Sequence, residues 1–267
     1  MLTRALAILL ALVAFSVAWA EKRSAQPQPI AIDELRPSQV AIGKQNAMQR
    51  YGRIVADARA NHTSLRDYAA KTLAPKLASS QLPVIIDPKG NYHPLDGHHR
   101  VTAWRQVEQD TGVKLSVQTK VIFDYRGWSQ HDFAQHFVHK LHEGNFGPEL
   151  RGASADRKVA ALPKSFARLR DDPLRSAVGQ AMDNMSSSRT NQPKFENYIE
   201  FKVGGYLMRH GLMKRLARDG VVPRGTKALP TDRALDPRVV RTIETMMTSR
   251  RASRFLQKHV MRPRANT

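Results

Sequence analysis

The chain has 267 residues, with 43 Lys and Arg against 23 Asp and Glu, 10 His and no Cys. A formal net charge of +20 points to a polyanion or an anionic surface as partner and says nothing about fold. The lack of cysteine excludes disulfide scaffolds, thiolate metal sites and cysteine catalysis, so stability has to come from an ordinary hydrophobic core.

Met1 to Arg4 is a short, singly positive start, Ala5 to Val17 is apolar, and Ala18-Trp19-Ala20 is a small-x-small cleavage signal. That is the layout of a secretory signal peptide, too short to span a bilayer comfortably. There is no twin arginine and no cysteine for a lipid anchor. The expectation is cleavage after Ala20 and a periplasmic or secreted protein; an uncleaved N-terminal anchor is the alternative. No later segment approaches ~18 consecutive apolar residues.

Residues 21–29 (EKRSAQPQP) read as a disordered leader. Ile30 to Leu35 predicts a short strand, stopped by Arg36-Pro37. Lys44 to Arg59 and Ser64 to Leu77 predict two helices; Ser64 caps the second, with Asp67 in a capping-box position and Pro75 ending or kinking it. Leu82 to Ile86 is a β-branched apolar run and hence a buried strand. Asp87-Pro88-Lys89-Gly90-Asn91 is a turn, and Tyr92 to Leu95 a returning strand placed at an edge or bulge by Pro94. Val101, Trp104 and Val107 share a helical face, and Lys114 to Asp124 alternates like a strand.

From Ser129 onward the pattern is helical. Asp171-Asp172-Pro173 opens a helix to about Met182. Asp183 to Lys194 predicts a loop, and Phe195 to Arg218 a helix interrupted at Gly204-Gly205. Val221 to Leu235 is irregular, and Asp236-Pro237 opens a basic amphipathic helix to about Val260. From Gly205 to Thr267 there are 15 Lys and Arg against 4 Asp and Glu, which reads equally as a nucleic-acid or membrane-surface patch and as a solvated face. The fold class is α+β: a small mixed sheet with helices at about 30–125, a helical part at about 129–210, and a basic helical extension at 211–267.

The stretch PLDGHHR at 94–100 concentrates the candidate chemistry. A strand, a glycine and a helix start together present backbone N–H groups and a dipole that favour an anion. Gly97 permits the sharp turn. Cationic His98, His99 and Arg100 in the first helical turn oppose the dipole unless an anion lies between them, and Arg100 can grip a phosphate bidentately. Asp96 could bind a divalent metal or act as a base. The competing reading makes Asp96 a helix cap and the histidines ordinary polar residues. No Walker or dinucleotide phosphate loop is present. His136, His139 and His142 follow i, i+3, i+6 spacing, which suits either a metal or the polar face of a helix with Phe133, Phe137 and Leu141 inside. Asp171, Asp172, Arg175 and Ser176 form a second polar group, as helix caps or as neighbours of a site.

The stretch PVIIDPKGNYHPLDGHHRVTAW resembles the strand–turn–strand–motif–helix unit of the ParB/sulfiredoxin superfamily, and most closely its ParB-like nuclease branch. IAIDELRPSQVAIGK at 30–44, LPKSFARLRDDPLRSAVGQAM at 162–182 and, more loosely, FENYIEFKVGGYL at 195–207 resemble that branch too. The resemblance covers roughly residues 30–210. It implies a phosphate or nucleotide site at the turn, with Gly97, His99 and Arg100 matching its motif. Sulfiredoxins carry a catalytic cysteine where His98 stands, so sulfinic-acid repair is excluded. The chromosome-partitioning members use a Gly-Glu-Arg-Arg type sequence, from which this chain departs.

The branch therefore implies a phosphodiesterase acting on nucleic acid. Asp96, His98 and His99 are the catalytic candidates, and Gly97, His99 and Arg100 the phosphate-binding ones. Asp172, Arg175, Ser176 and His142 are possible neighbours, and a divalent metal a possible cofactor at Asp96. The alternatives are a non-catalytic phosphate, nucleotide or nucleic-acid binding protein and a small-molecule phosphotransferase.

Overall fold

The computed structural model describes residues 27–141, 150, 152–187 and 199–259. Residues 21–26 of the expected leader, the segment from 188 to 198, and His142 lie outside them; Gln28 and Pro29, expected in that leader, instead open the first strand.

A four-stranded sheet has the order β1-β5-β3-β4. β1 (Gln28–Ala31) runs antiparallel to β5 (Ser116–Asp124), β5 parallel to β3 (Gln81–Ile86), and β3 antiparallel to β4 (Tyr92–Pro94). β3 is central and covered on both sides. Leu82, Val84 and Ile86 face one hydrophobic cluster and Ile85 another, which is why its sequence is apolar without alternation. β4 is an edge strand, where the missing N–H of Pro94 is tolerated. The expected strand at 30–35 is shorter: after Ala31 the chain turns into one 3-10 turn, Ile32–Glu34.

α1 (Lys44–Ala60) matches expectation. The next helix does not stop at Pro75. α2 (Leu65–Tyr68), a wide π turn (Ala69–Leu73) and α3 (Ala74–Ser79) form one continuous run. Ala74 N–H reaches back to Ala69 O, so the widened turn absorbs the hydrogen bond that Pro75 cannot donate. The Ser64 cap forms as read: its Oγ accepts from Asp67 N at 3.0 Å. α4 (His98–Thr111) follows the PLDGHHR turn and packs against α1.

A second, two-stranded sheet pairs β2 (Ala41–Ile42) in parallel with β6 (Arg170–Asp171). Between β5 and β6 lie α5 (Gln130–His136) and α6 (Ala155–Ala160). After β6 come α7 (Pro173–Ser187), α8 (Ile199–Arg209), α9 (Leu212–Arg218), α10 (Pro237–Met247) and α11 (Arg250–His259).

Three helix readings differ from expectation, the first being the helix expected from Asp236 to about Val260, which breaks at Thr248-Ser249 between α10 and α11. α7 continues to Ser187 rather than giving way to loop at Asp183. α8 passes through Gly204-Gly205 unbroken, because a Cβ at Gly204 would press on Leu174 Cδ2 at 3.2 Å and glycine lets α7 approach. The break falls at Gly211, whose φ of +84° ends the helical path. Ala177 and Val178 of α7, Leu207 of α8, Leu216 of α9, Ile243 of α10 and Leu256 of α11 share one core, so the helices beyond residue 210 pack with those before it.

Candidate functional site at the junction of three helix starts

The PLDGHHR turn forms because Gly97 takes a φ of +87° and accepts Val101 N–H at 2.9 Å. A Cβ at Gly97 would lie 2.9 Å from Arg100 Nη2 and 3.1 Å from Leu82 Cδ1, so the backbone favours glycine and a larger residue would displace the Arg100 side chain. Gly97, not Asp96, is the N-cap of α4. Arg100 folds back over the glycine and its Nη2 lies 3.8 Å from Asp96 Oδ2, both side chains about half exposed.

Successive helical residues diverge by ~100°, so His98, His99 and Arg100 cannot converge on one atom. His98 points into the core and is 2 % exposed. Its Nε2 accepts the backbone N–H of Ser38 at 3.1 Å, and its ring lies 5.5 Å from that of Phe166. Ser38 Oγ sits 3.1 Å from the same nitrogen and 2.6 Å from the carbonyl of Pro94. An accepting Nε2 places the ring proton of neutral His98 on Nδ1. His98 is thus built into the packing that holds the turn.

His99 points toward α1 and α7. The first turns of these helices abut it through a set of long-range bonds. Asp171 Oδ1 accepts Lys44 N–H at 2.9 Å, capping α1 from 127 positions away. Asp172 Oδ1 accepts Arg175 N–H at 3.2 Å and caps α7 in the same way. Burial pushes the Asp172 carboxyl upward, against the pull of Arg175. Ser176 is fully buried and its Oγ lies 3.4 Å from Asn46 N; a Cβ at Gly43 would be 2.6 Å from Ser176 N. Asn46 in turn lies against Gly179, one turn beyond Arg175.

Arg175 is 3 % exposed. Its Nη1 donates to Gln39 Oε1 at 3.2 Å and to the carbonyl of Ala41, and Nη2 lies 3.9 Å from Glu200 Oε2. Ser38 therefore holds His98 and the adjacent Gln39 holds Arg175, so one buried strip fixes both.

Around His99 several sealed polar atoms have no hydrogen-bond partner among the described residues: His99 Nε2, Asn46 Oδ1, Arg50 Nε and Thr102 Oγ1. Asn46 and Arg50 are one turn apart on α1, and His99 and Thr102 one turn apart on α4. Burial first, then the charges of Arg175 and Arg50, push the His99 imidazole down to about 3. The ring's rim keeps some solvent contact while Nε2 is sealed. A neutral donor-acceptor between two guanidinium groups is an arrangement that an anion would complete.

The structure thus groups His99 with Asp172, Arg175 and Ser176, pairs Asp96 with Arg100 beside them, and sets His98 inward. Asn46, Arg50 and Gln39 escaped the sequence reading. The available signal was an Asn and an Arg at i, i+4 on the inward side of an amphipathic helix. The other histidines go elsewhere. His136 Nδ1 lies 2.7 Å from Tyr125 Oη among aromatic rings, His131 pairs with Asp156 at 3.0 Å, and His139 is exposed. Among the described residues no group of three or more His, Asp or Glu side chains is arranged to hold a metal, and Asp96 already faces Arg100.

The profile of the family described as "Putative ParB-like nuclease" matches residues 28–209, more than half of the chain. The chain belongs to the ParB-like nuclease family. The family's span takes in the whole sheet, the Asp96–Arg100 turn and the His99 junction. Protein Atu1540 from Agrobacterium tumefaciens, a crystal structure, is similar at 21 % identity and a TM-score of 0.54, over 86 % of this chain and 95 % of that one. At that identity the likeness extends to fold. No curated protein matches.

Proposed function

We propose that this ParB-like nuclease is an exported phosphodiesterase that acts on nucleic acid and holds phosphate at the Asp96–Arg100 turn. The observation that carries the reading is the neutral His99 between Arg50 and Arg175, its Nε2 sealed and without a partner. A phosphate drawn to these charges offsets their repulsion of a protonated imidazole, so His99 gains proton affinity when substrate is present. His99 then exchanges a proton with the attacking water or the leaving oxygen. Arg100 lies at the mouth and is released to phosphate when its pair with Asp96 opens, and Asp96 is left to orient the ring or a metal. His98, occupied by Ser38, positions the turn.

The exposed Arg238, Arg241, Arg250, Arg251 and Arg254 supply a nonspecific grip on the polyanion, with steep salt dependence. Val239, Val240, Ile243, Met247 and Leu256, the apolar side of α10 and α11, are buried in the core. These helices therefore offer charge to a partner and no apolar face to a bilayer.

Incubation of the purified chain with supercoiled plasmid and with RNA, with and without Mg²⁺ or Mn²⁺, tests the activity. Nicking or shortening that His99→Ala abolishes is expected; wild type no better than His99→Ala overturns it. Fractionation of expressing cells, with the mature N-terminus read after Ala20, tests export. A non-catalytic phosphate or nucleotide binder is the second reading, favoured by the low proton affinity of His99 in the free protein. It predicts ligand-dependent thermal stabilisation, weakened by Arg100→Ala, without turnover.

A further inference from the structure

We infer that the anion this chain takes is a terminal phosphate, held within the junction of α1, α4 and α7 by Arg50, His99 and Asn46, with Arg100 only at the mouth. The inference rests on the reading above that phosphate binds near this turn, and adds to it both a ligand class and residues on α1.

The junction carries unmet hydrogen-bonding capacity. Asn46 is 4 % exposed and its Oδ1 has no partner. His99 Nε2, Thr102 Oγ1 and Arg50 Nε are equally sealed and also lack partners. A buried donor or acceptor without a partner costs about 1–3 kcal/mol, so four around one helix junction are unexpected in a region with no ligand. The starts of α1, α4 and α7 meet here, helices of 17, 14 and 15 residues, and their dipoles add to the charge of two guanidinium groups. Arg175 is already clamped by Gln39, the Ala41 carbonyl and Glu200 and acts as a fixed positive centre. Arg50 is only half buried, and its Nε donates to no described residue, so it stands as the ligand-facing cation. Amide oxygen and nitrogen are interchangeable assignments, and with the group turned about so that Nδ2 takes the place of Oδ1, Asn46 donates to the anion.

Shape selects the ligand. The orphan atoms lie below the accessible surface, so whatever reaches them enters end first. An internal phosphodiester carries a sugar on both sides and has two free oxygens. A terminal phosphate carries a sugar on one side only, has three free oxygens and nearly a second negative charge at neutral pH. It satisfies more of the orphan donors and better balances Arg50 and Arg175.

The test is equilibrium binding by the full chain at physiological salt. The probes are inorganic phosphate, a short single-stranded DNA with a 5′-phosphate, and a DNA one nucleotide longer without it, which has the same number of phosphates. Preference for the 5′-phosphorylated strand by about tenfold is expected, with inorganic phosphate competing. Arg50→Gln removes the preference and Arg50→Lys keeps part of it, both at unchanged far-UV spectrum. Equal affinity for the two strands overturns the inference in wild type, without recourse to a variant, and leaves phosphate binding at the turn intact. Loss of the preference in Arg100→Ala but not in Arg50→Gln overturns it as well. If no probe binds at all, the underlying phosphate reading falls too.

Discussion

His93 and His99 lie fewer than ten positions apart, both turned inward, and live in opposite circumstances. His93, at the β3–β4 hairpin, sits between the carbonyl of Pro37 at 3.1 Å and Asp87 Oδ2 at 3.2 Å. Both neighbours are acceptors, so each ring nitrogen of His93 faces a partner. Asp87 in turn accepts from Lys89 N, Asn91 N and Asn91 Nδ2 at 2.8–2.9 Å. Burial works to raise its carboxyl, but the bonds from His93 and Asn91 prevail and hold it at about 2. His99 sits among cations, is kept neutral, and has a nitrogen with no partner. A completed polar network ties the hairpin together, whereas an incomplete one is costly until something else completes it. The comparison separates a fastening from a site without appeal to motif.

The largest effect should come from opening the completed network. Asp87→Ala leaves the buried His93 ring and the Lys89 and Asn91 N–H groups of the turn without their acceptor, and a loss of about 3 kcal/mol is expected from urea unfolding. A loss under ~1 kcal/mol would mean that water replaces the carboxylate and that the hairpin is less closed than its bonds imply. Next is Gly43→Ala. Its Cβ would meet Ser176 N at 2.6 Å and Ser176 Cα at 2.8 Å, so backbone has to move and the starts of α1 and α7 separate. About 2 kcal/mol is expected, typical of overpacking. Phosphate binding should weaken alongside, since both helices frame the junction.

The two networks also answer differently to pH. Asp87 has a folded value below its ordinary one, so its contribution is complete above about pH 4 and is lost as pH falls toward about 2. His99 is lowered from 6.5 to about 3, so between those values the unfolded chain takes up a proton that the folded chain refuses. Stability falls as pH drops through that window, with a slope approaching about 1.4 kcal/mol per unit. Urea midpoints from pH 7 to pH 4 should therefore fall in wild type and fall less in His99→Gln. Parallel curves would remove the burial argument for His99.

Local chemistry made much of this fold readable. The unalternating LPVII run of β3, the DPKGN turn, the Ser64 cap and the glycine of PLDGHHR each state their role within a few residues. What the sequence concealed were pairings across long separations. Asp171 capping Lys44, Gln39 gripping Arg175 and Ser38 occupying His98 are products of tertiary packing, with no mark in their own neighbourhoods. The site residues were partly legible for the same reason. PLDGHHR announces itself as a turn, but helical divergence sends His98, His99 and Arg100 to three surroundings, and only the packed structure shows which of them meets Arg50 and Arg175. Gly204-Gly205 misled because glycine at a close helix contact and glycine at a helix end read alike.

The smallest effect sharpens the comparison within a single helix. Thr102 and Thr111 both lie on α4. Thr111 is buried with its hydrogen bonds made: Oγ1 donates to Val107 O at 2.6 Å and accepts Val113 N–H at 3.2 Å. Thr102 Oγ1 is sealed with no partner. Valine keeps the shape of threonine and removes the hydroxyl, so the two substitutions isolate the polar group. Thr111→Val should lose about 1 kcal/mol, while Thr102→Val should gain up to about 1 kcal/mol, because an unsatisfied hydroxyl is worse than none. Opposite signs in melting temperature are expected without ligand. If the orphan atoms await a phosphate, the gain at Thr102 should shrink or reverse when phosphate is added, while Thr111→Val should respond as wild type does. A Thr102→Val that is destabilised like Thr111→Val would mean that its hydroxyl is already satisfied, and the contrast between a finished and an unfinished network would no longer hold on α4.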